Sequence, residues 1–337
     1  MPCTPAKARI LMKDGHARPK RNKLGIFYIQ LTYAVEPDSQ PLVVGIDPGS
    51  KFEGFSVVGT KDTVLNIMAE APTHVKKSVE VRRVMRRARR QRKCWRRPAR
   101  FDNRLTGTKR LPPSTRSRWE FKARIIRHLA AILPITEAVV EDVRARTRTG
   151  KGGKWNGLFS PIQVGKEHLY SLIENMGLHV RLFEGHHTAS LRAQARLSKI
   201  KAKDKPVFES HAVDAWVLAA AATGADRPTC RRLWYVTGIQ LKRRMLHKLQ
   251  PARGGYRRPE GGTMSLGLKR GTVVWHSRYG LCSVGGFDRQ RQRISLHRYH
   301  DNKRLTQDGR ITDLKVCTWS SFRSRLIFTR NDGGVGV

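Results

Sequence analysis

Three short apolar runs between positions 42 and 70 give the clearest hydrophobic pattern of the chain. The first two runs lie on either side of Asp47-Pro48-Gly49-Ser50 and are rich in Val and Phe. β-Branched and aromatic residues around a tight turn are typical of a hairpin of two buried strands. Residues 63–69 predict a third strand, so the segment should form a three-stranded meander whose first strand ends in an acid.

The next stretch alternates helix and strand patterns up to residue 223. Trp119, Ile126 and Leu129 recur at helical spacing, which predicts an amphipathic helix capped near Ser117 and ended by Pro134. The other predicted elements are a strand over 137–143, helices over 166–176 and 208–223, and a strand over 178–183. A meander followed by alternating helices and strands predicts an α/β fold with an RNase H-like core.

The two ends of the chain have a different character. Residues 1–25 are polar and basic and predict an extended arm with at most one short helix, followed by a strand over 26–35. Residues 226–262 are basic and rich in Gly. Short strands separated by turns then follow, which predict a small β-barrel-like domain: 272–276, 281–285, 293–297 and 315–319.

Charge narrows the class of partner. Among 337 residues, 67 are Lys or Arg and only 26 are Asp or Glu, for a net charge of +41. Such an excess would repel itself without a polyanion, so nucleic acid is the expected partner. We find no apolar run long enough to span a bilayer and no signal peptide. The five cysteines form no Cys-x-x-Cys pair, which argues against a zinc ribbon or a disulfide framework and fits a reducing, cytoplasmic setting.

The charge is most concentrated between residues 82 and 100, where eleven of 19 residues are basic. The helical pattern over 76–97 has no wide apolar stripe, so the helix is either a solvated charge run or is embedded in nucleic acid. Arginine dominates, and its planar fork suits phosphate, which favours nucleic acid. The expected RNA-binding residues are Arg82, Arg83, Arg86, Arg87, Arg89, Arg90, Arg92, Lys93, Arg96 and Arg97, with Arg100 at the end of the run.

Four polar residues lie at the ends of core elements. Asp47 ends the first strand, Glu141 lies on the strand over 137–143, and His211 and Asp214 share one face of the last helix. Asp47 alone could simply open a turn. In an RNase H-type sheet, however, the four side chains could converge, with the carboxylates holding two Mg²⁺ ions and His211 positioning or deprotonating water.

These residues occur in motifs that resemble a known family. Gly45-Ile-Asp-Pro-Gly-Ser50, Val140-Glu141 and His211-Ala-Val-Asp214 resemble the three split RuvC motifs of the IscB and IsrB transposon-encoded RNA-guided nucleases. The arginine-rich segment occupies the place of that family's bridge helix. Residues 1–25 are similar to its N-terminal domain named for Pro-Leu-Met-Pro, although only Met1-Pro2 of that signature is present. The resemblance covers residues 1–225.

Only 69 residues separate Glu141 from His211, which leaves no room for the HNH nuclease of IscB beside the elements that the core itself needs. The chain therefore resembles the RuvC-only IsrB branch. That resemblance implies one nuclease centre that nicks the displaced, non-target strand of double-stranded DNA. It implies Mg²⁺, with Mn²⁺ as a substitute, and a monomeric protein bound to a long omega guide RNA in the prokaryotic cytoplasm, at the nucleoid when on target.

The resemblance also implies a domain plan. The expected parts are an N-terminal domain over 1–40, RuvC segments over 41–74, 105–145 and 146–225, the bridge helix over 75–104, and a C-terminal domain over 226–337 that contacts RNA and a target-adjacent motif.

Other functions share some of these features. A stand-alone RuvC-type junction resolvase would use the same acids but needs neither the arginine helix nor the C-terminal domain. A non-catalytic RNA-binding scaffold has no need of clustered carboxylates that repel phosphate. A DDE transposase would place its Glu last, whereas the order here is Asp, Glu, Asp.

Overall fold

The computed structural model of the protein describes residues 3–21, 27–34, 40–91, 111–142, 161–200, 202, 204–239 and 264–327. Its helices are α1 (Pro5–Lys13), α2 (His74–Gln91), α3 (Pro113–Ala130), α4 (Pro161–Glu174), α5 (Gly185–Gln194) and α6 (Val213–Thr223), with a π-helical turn at Phe208–Ala212. The first eight strands are β1 (Ala17–Arg21), β2 (Phe27–Leu31), β3 (Leu42–Asp47), β4 (Phe52–Val58), β5 (Thr63–Glu70), β6 (Ile135–Glu141), β7 (His179–Phe183) and β8 (Leu233–Gly238). The later strands are β9 (Met264–Ser265), β10 (Leu268–Lys269), β11 (Thr272–His276), β12 (Gly280–Asp288), β13 (Arg293–Arg298), β14 (Arg304–Gly309), β15 (Leu314–Trp319) and β16 (Phe322–Ile327).

The larger of two compact units comprises residues 40–237 and 325–337. Its sheet has the strand order β16-β8-β5-β4-β3-β6-β7. Strands β3, β4 and β5 form an antiparallel meander, whereas β6 runs parallel to β3 and β7 parallel to β6. An antiparallel three-stranded meander whose first strand is followed across the sheet by two parallel strands is the RNase H-like arrangement. The predicted fold class is confirmed.

Both faces of the central strands are covered by helices. All six residues of β3 are buried, as expected for a strand packed on two sides. Neighbouring residues of β4 show which elements do this. Glu53 contacts α3 through Lys122, and the adjacent Gly54 packs against the backbone of the π-helical turn. Successive side chains point to opposite faces, so α3 covers one face and α6, with its preceding turn, covers the other.

Two strand glycines let the last helix approach the sheet closely. A Cβ atom at Gly45 would overlap the carbonyl of Ala215, and one at Gly54 would overlap the carbonyl of His211. A glycine in the interior of a strand often marks such an approach of another backbone. These two positions therefore set the height of α6 and its π-helical turn above the ends of β3 and β4.

The smaller unit comprises residues 1–39 and 238–324. It contains α1, the β1–β2 hairpin, and a five-stranded antiparallel sheet of order β14-β13-β12-β11-β15. The core of that sheet includes Val274, Val284, Ile294 and Leu296. The predicted C-terminal β-rich domain is confirmed, and β14 is an additional strand in it. The exact domain bounds expected from the sequence stay a prediction.

Some local expectations need correction. Helix α3 begins at Pro113 and not near Ser117, because Pro112 and Pro113 start the first turn and the Ser117 hydroxyl donates to the Ser114 carbonyl within it, 2.9 Å away. Part of the expected arm, residues 17–21, pairs as a strand with β2. Strand β8 was not expected, because it lies in a stretch whose basic charge hid the apolar pattern of a strand.

Helix α2 confirms the first part of the arginine-rich helix. Positions 92–100, with the expected RNA-binding residues Arg92, Lys93, Arg96 and Arg97, lie outside the described residues. In the described part of the chain, no helix is long and apolar enough to cross a bilayer.

Candidate catalytic site

Two carboxylates lie side by side where adjacent strands end. Asp47 is the last residue of β3 and Glu141 the last of β6. The two strands are parallel, with Ile46 in register with Val140, so the next residue on each strand is an acid. Carboxyl ends of neighbouring parallel strands meet at one edge of a sheet, which is where ligand sites of α/β folds usually lie.

The third contributor is the start of the last helix. His211 lies in the π-helical turn, and Asp214 lies in the first turn of α6. The His211 Nδ1 atom is 3.3 Å from Asp47 Oδ2, and both side chains are largely buried. A π-helical turn widens the helix by one residue and is frequent at functional sites. Here it carries the histidine to the end of β3.

The three acids influence one another electrostatically. Burial raises the pKa of Glu141 to about 7, and the charges of Asp47 and Asp214 act in the same direction. A hydrogen bond with Asp47 raises the pKa of Glu141 further, whereas the nearby hydroxyl of Thr188 opposes the rise. Repulsion among three partly buried carboxylates is the pattern expected where a cation is to be bound.

Asp214 has two basic partners in this structure. Its carboxylate is paired with the Arg192 guanidinium through one oxygen and with the Lys199 ammonium through the other. Arg192 lies in the last turn of α5, and Lys199 follows in the segment that leads to the π-helical turn. These two cations lie beside the same carboxylate that the sequence assigned to metal binding.

The donor chemistry fits Mg²⁺, although the three acids are not drawn together as closely as a bound ion requires. Across the described ranges, no three His, Cys, Asp or Glu side chains lie as close as the ligands of one metal ion. Carboxylate oxygens are the ligands that Mg²⁺ prefers, and the mutual repulsion at Glu141 would be relieved by a cation. Asp47, Glu141 and Asp214 would hold it, with Asp214 exchanging Arg192 and Lys199 for the metal.

The structure distinguishes Glu141 from its neighbour Asp142. Asp142 accepts hydrogen bonds from the Lys166 ammonium at 2.9 Å and the Tyr170 hydroxyl at 3.0 Å, both on α4. It therefore anchors α4 to the end of β6. Glu141 is the acid that approaches Asp47.

Sequence reasoning missed several residues around the site. Thr188, Arg192 and Lys199 were not expected, because no spacing rule relates them to Glu141 or Asp214. The buried pair of Lys122 and Glu53 was also missed, since a single Lys in an amphipathic helix is usually on its exposed face. The glycines at 45 and 54 did carry a signal, as interior strand glycines.

The described part of the expected RNA-binding surface is exposed. Arg82, Arg83, Arg86 and Arg87 of α2 lie on the surface, and the Arg86 Nε donates to the Arg82 carbonyl at 3.3 Å. The side chains of Arg89 and Arg90 lie outside the described residues. Exposed guanidinium groups along one helix are available to phosphates.

A protein-family model matches a part of the chain that includes the arginine-rich segment. A family model described as "RRXRR protein" matches residues 1–159, slightly less than half of the 337-residue chain. The pattern of that description occurs here as Arg86-Arg87-Ala88-Arg89-Arg90. No protein with a curated description matches the chain.

The solved structures similar to this chain include T. thermophilus RuvC in complex with a Holliday junction substrate. It is 13% identical, and the match covers 55% of this chain and 97% of that chain with a TM-score of 0.31. The RNase H-like fold is established here by the strand order and the directions of the strands.

Proposed function

We propose that this protein is an RNA-guided DNA endonuclease that nicks the non-target strand of double-stranded DNA at a single RuvC-type centre. The observation that carries the proposal is the placement of Asp47 and Glu141 at the ends of adjacent parallel strands, where the charge of Asp214 also raises the pKa of Glu141. Three carboxylates crowded at the edge of an RNase H-like sheet, in a chain with a charge of +41, suit metal-assisted hydrolysis of a phosphodiester.

The residues divide the chemistry between them. Bound at the three carboxylates, two Mg²⁺ ions would supply charge stabilisation at the attacking and leaving oxygens of the phosphodiester. Asp47 also orients the imidazole of His211, whose Nδ1 lies 3.3 Å from its Oδ2. With the proton on Nδ1, the ring carries its lone pair on Nε2, which makes His211 the residue that accepts a proton from the attacking water.

The guide RNA is the partner proposed for the arginine helix. Exposed Arg82, Arg83, Arg86 and Arg87 of α2 lie next to one another in sequence, and Arg89 and Arg90 continue the run. In RNA-guided effectors the protein holds the guide and its duplex by the backbone, while base pairing reads the sequence. A phosphate-binding helix beside a nuclease core fits that division of labour, and a junction resolvase would have no use for it.

The test labels the two strands of an R-loop substrate separately. Intact protein with its guide RNA and Mg²⁺ should cut the displaced strand alone, and chelation by EDTA should stop cutting without releasing the RNA. Asp47→Ala should abolish cutting while guide and target binding persist, because it removes a metal ligand but no contact with the nucleic-acid backbone. Arg124→Ala, an exposed change on α3, is the control. Efficient cutting of both strands, or full activity in EDTA, would refute the proposal.

A further inference from the structure

The smaller unit contains a polar cavity of about 300 Å³. Two arginines, Arg270 and Arg323, line it together with His297 and Asn302. All of these residues lie in the 238–324 part of the chain, within one compact unit. A basic cavity of this size is large enough for a small anionic group.

Arg323 is held in place and has an unused donor. Its Nη2 donates to Asn302 Oδ1 at 2.6 Å. Its Nε atom is buried, and the described part of the chain provides no hydrogen-bond acceptor for it. A buried donor without an acceptor typically costs about 1–3 kcal/mol, so native proteins seldom leave one without a role. The geometry therefore presents a fixed guanidinium with one N–H ready for an acceptor.

The charges in the cavity all have the same sign. Burial lowers the pKa of the Arg323 guanidinium, and the nearby charge of Arg270 lowers it further, while Tyr299 and Asp301 oppose this. Burial also lowers the pKa of His297, as do the charges of Arg270, Arg304 and Arg323. Asp301 is engaged by the Arg298 guanidinium at 3.2 Å. Like charges confined in a partly buried space are stabilised by an anion.

Glycines form part of the cavity wall and keep it open. A Cβ atom at Gly285 would overlap the imidazole of His297. Gly271 has a φ of +85°, a conformation that other residues rarely adopt. A side chain at either position would therefore disturb the wall, and the space beside the two arginines is left for something other than the chain itself.

We propose that this cavity binds one phosphodiester group of a nucleic-acid backbone, which accepts a hydrogen bond from Arg323 Nε and an ion pair from Arg270. An arginine fork matches phosphate geometry, and phosphates are the anions that a chain of charge +41 meets most often when bound to nucleic acid. The cavity would add one specific phosphate contact to the nucleic-acid contacts of the proposed function. The inference rests on that function only for which nucleic acid, RNA or DNA, supplies the phosphate.

The first test needs neither guide, target nor cleavage. Full-length protein is treated with phenylglyoxal, which modifies arginine, with and without inorganic phosphate, and each site is quantified by mass spectrometry. Phosphate should slow modification of Arg270 and Arg323 several-fold and leave the exposed Arg291 and Arg310 unchanged. Equal protection of all four arginines, or protection of none, would mean an adventitious ion only and would overturn the site.

The second test identifies the polymer. Binding of a single-stranded RNA and of a duplex DNA is measured by fluorescence anisotropy across a salt series, for Arg323→Gln and for the control Arg310→Gln. Removing one phosphate interaction should lower the salt slope by about 0.7–0.9 for the nucleic acid that occupies the cavity. Arg323→Lys keeps the charge but lacks the Nε–H group, and it should weaken affinity by several-fold. This second variant keeps the test valid if Arg323→Gln fails to fold. Unchanged slopes and affinities for both polymers would refute the proposal, even if cleavage is intact.

Discussion

The Lys122 ammonium lies 2.6 Å from the Glu53 carboxylate, and both side chains are buried. The pair joins α3 to β4, and Lys122 also lies over the ring of Trp119, 4.3 Å from its centroid. Burial raises the pKa of Glu53, the Lys122 charge opposes the rise, and Asp47 adds to it. Lys122 thus neutralises an acid that lies one residue along β4 from Gly54, the partner of Asp47 in the sheet.

We expect Lys122→Met to destabilise the larger unit by about 3–5 kcal/mol at neutral pH, because it leaves a buried carboxylate without a counter-charge. The folded-state pKa of Glu53 would then lie further above its unfolded value. A carboxyl whose pKa is higher in the folded state contributes to stability at pH values below its unfolded-state pKa. That contribution is lost as the pH rises through the folded-state pKa. The penalty, measured by urea unfolding, should therefore grow from about pH 5 to about pH 8.

The control for this effect removes the acid as well. Glu53→Gln/Lys122→Met should recover much of the lost stability and should show no growth of the penalty with pH. A penalty of the same size in the single and double variants, or one that does not vary with pH, would show that Lys122 acts by packing on Trp119 and not by charge.

The cations on Asp214 lead to a prediction about metal affinity. Arg192 and Lys199 are both paired with this carboxylate, so a metal ion has to compete with them. Arg192→Gln/Lys199→Gln should tighten Mn²⁺ binding by roughly ten-fold, which corresponds to about 1.4 kcal/mol of removed repulsion and competition. Manganese electron paramagnetic resonance measures this without substrate. Arg196→Gln, an exposed change in the same segment, should leave Mn²⁺ affinity unaltered. Weaker Mn²⁺ binding in the double variant would instead mean that the two cations position Asp214.

The close approach of α6 to the sheet can be tested at Gly45. Gly45→Ala would place a methyl group against the Ala215 carbonyl, and backbone on both sides has little freedom to move. We expect a loss of at least about 1–3 kcal/mol in the free energy of unfolding, in the range of overpacked cores. Gly59→Ala is the matched control, because its closest approach would be to the flexible Leu42 side chain, with Cδ2 at 3.1 Å. Similar stability for the two variants would show that α6 is not held by this contact.

The arginine helix should contribute to RNA affinity through phosphates. Replacing Arg86, Arg87, Arg89 and Arg90 with Ala should weaken guide RNA binding strongly and reduce the salt slope by about 0.7–0.9 for each phosphate that no longer has an arginine partner. Filter binding across a salt series measures both quantities. Arg124→Ala/Arg127→Ala removes two exposed arginines from α3 and serves as the control. Unchanged affinity across the salt series would show that α2 is only a solvated charge run.

The sequence by itself determined the order of the core elements from β3 to β7 and the last helix, whereas α5 and β8 were not expected. The Val- and Phe-rich runs around Asp47 predict strands because short continuous runs of β-branched and aromatic residues suit a buried sheet. It also placed Asp47 and Glu141 at strand ends and His211 and Asp214 at the start of the last helix. These are local features, carried by the residues of one segment at a time, and the structure contains each of them. The catalytic and RNA-binding roles assigned to them stay predictions.

Only the tertiary structure decided which side chains meet. The pairing of Asp214 with Arg192 and Lys199 joins a helix to the segment before it, and the pair of Lys122 and Glu53 joins residues 69 positions apart. Such contacts depend on how helices pack over the sheet, and neither periodicity nor composition encodes them. The cavity beside Arg323 was hidden for the same reason, because its lining residues come from segments far apart in the sequence that meet only in the folded chain.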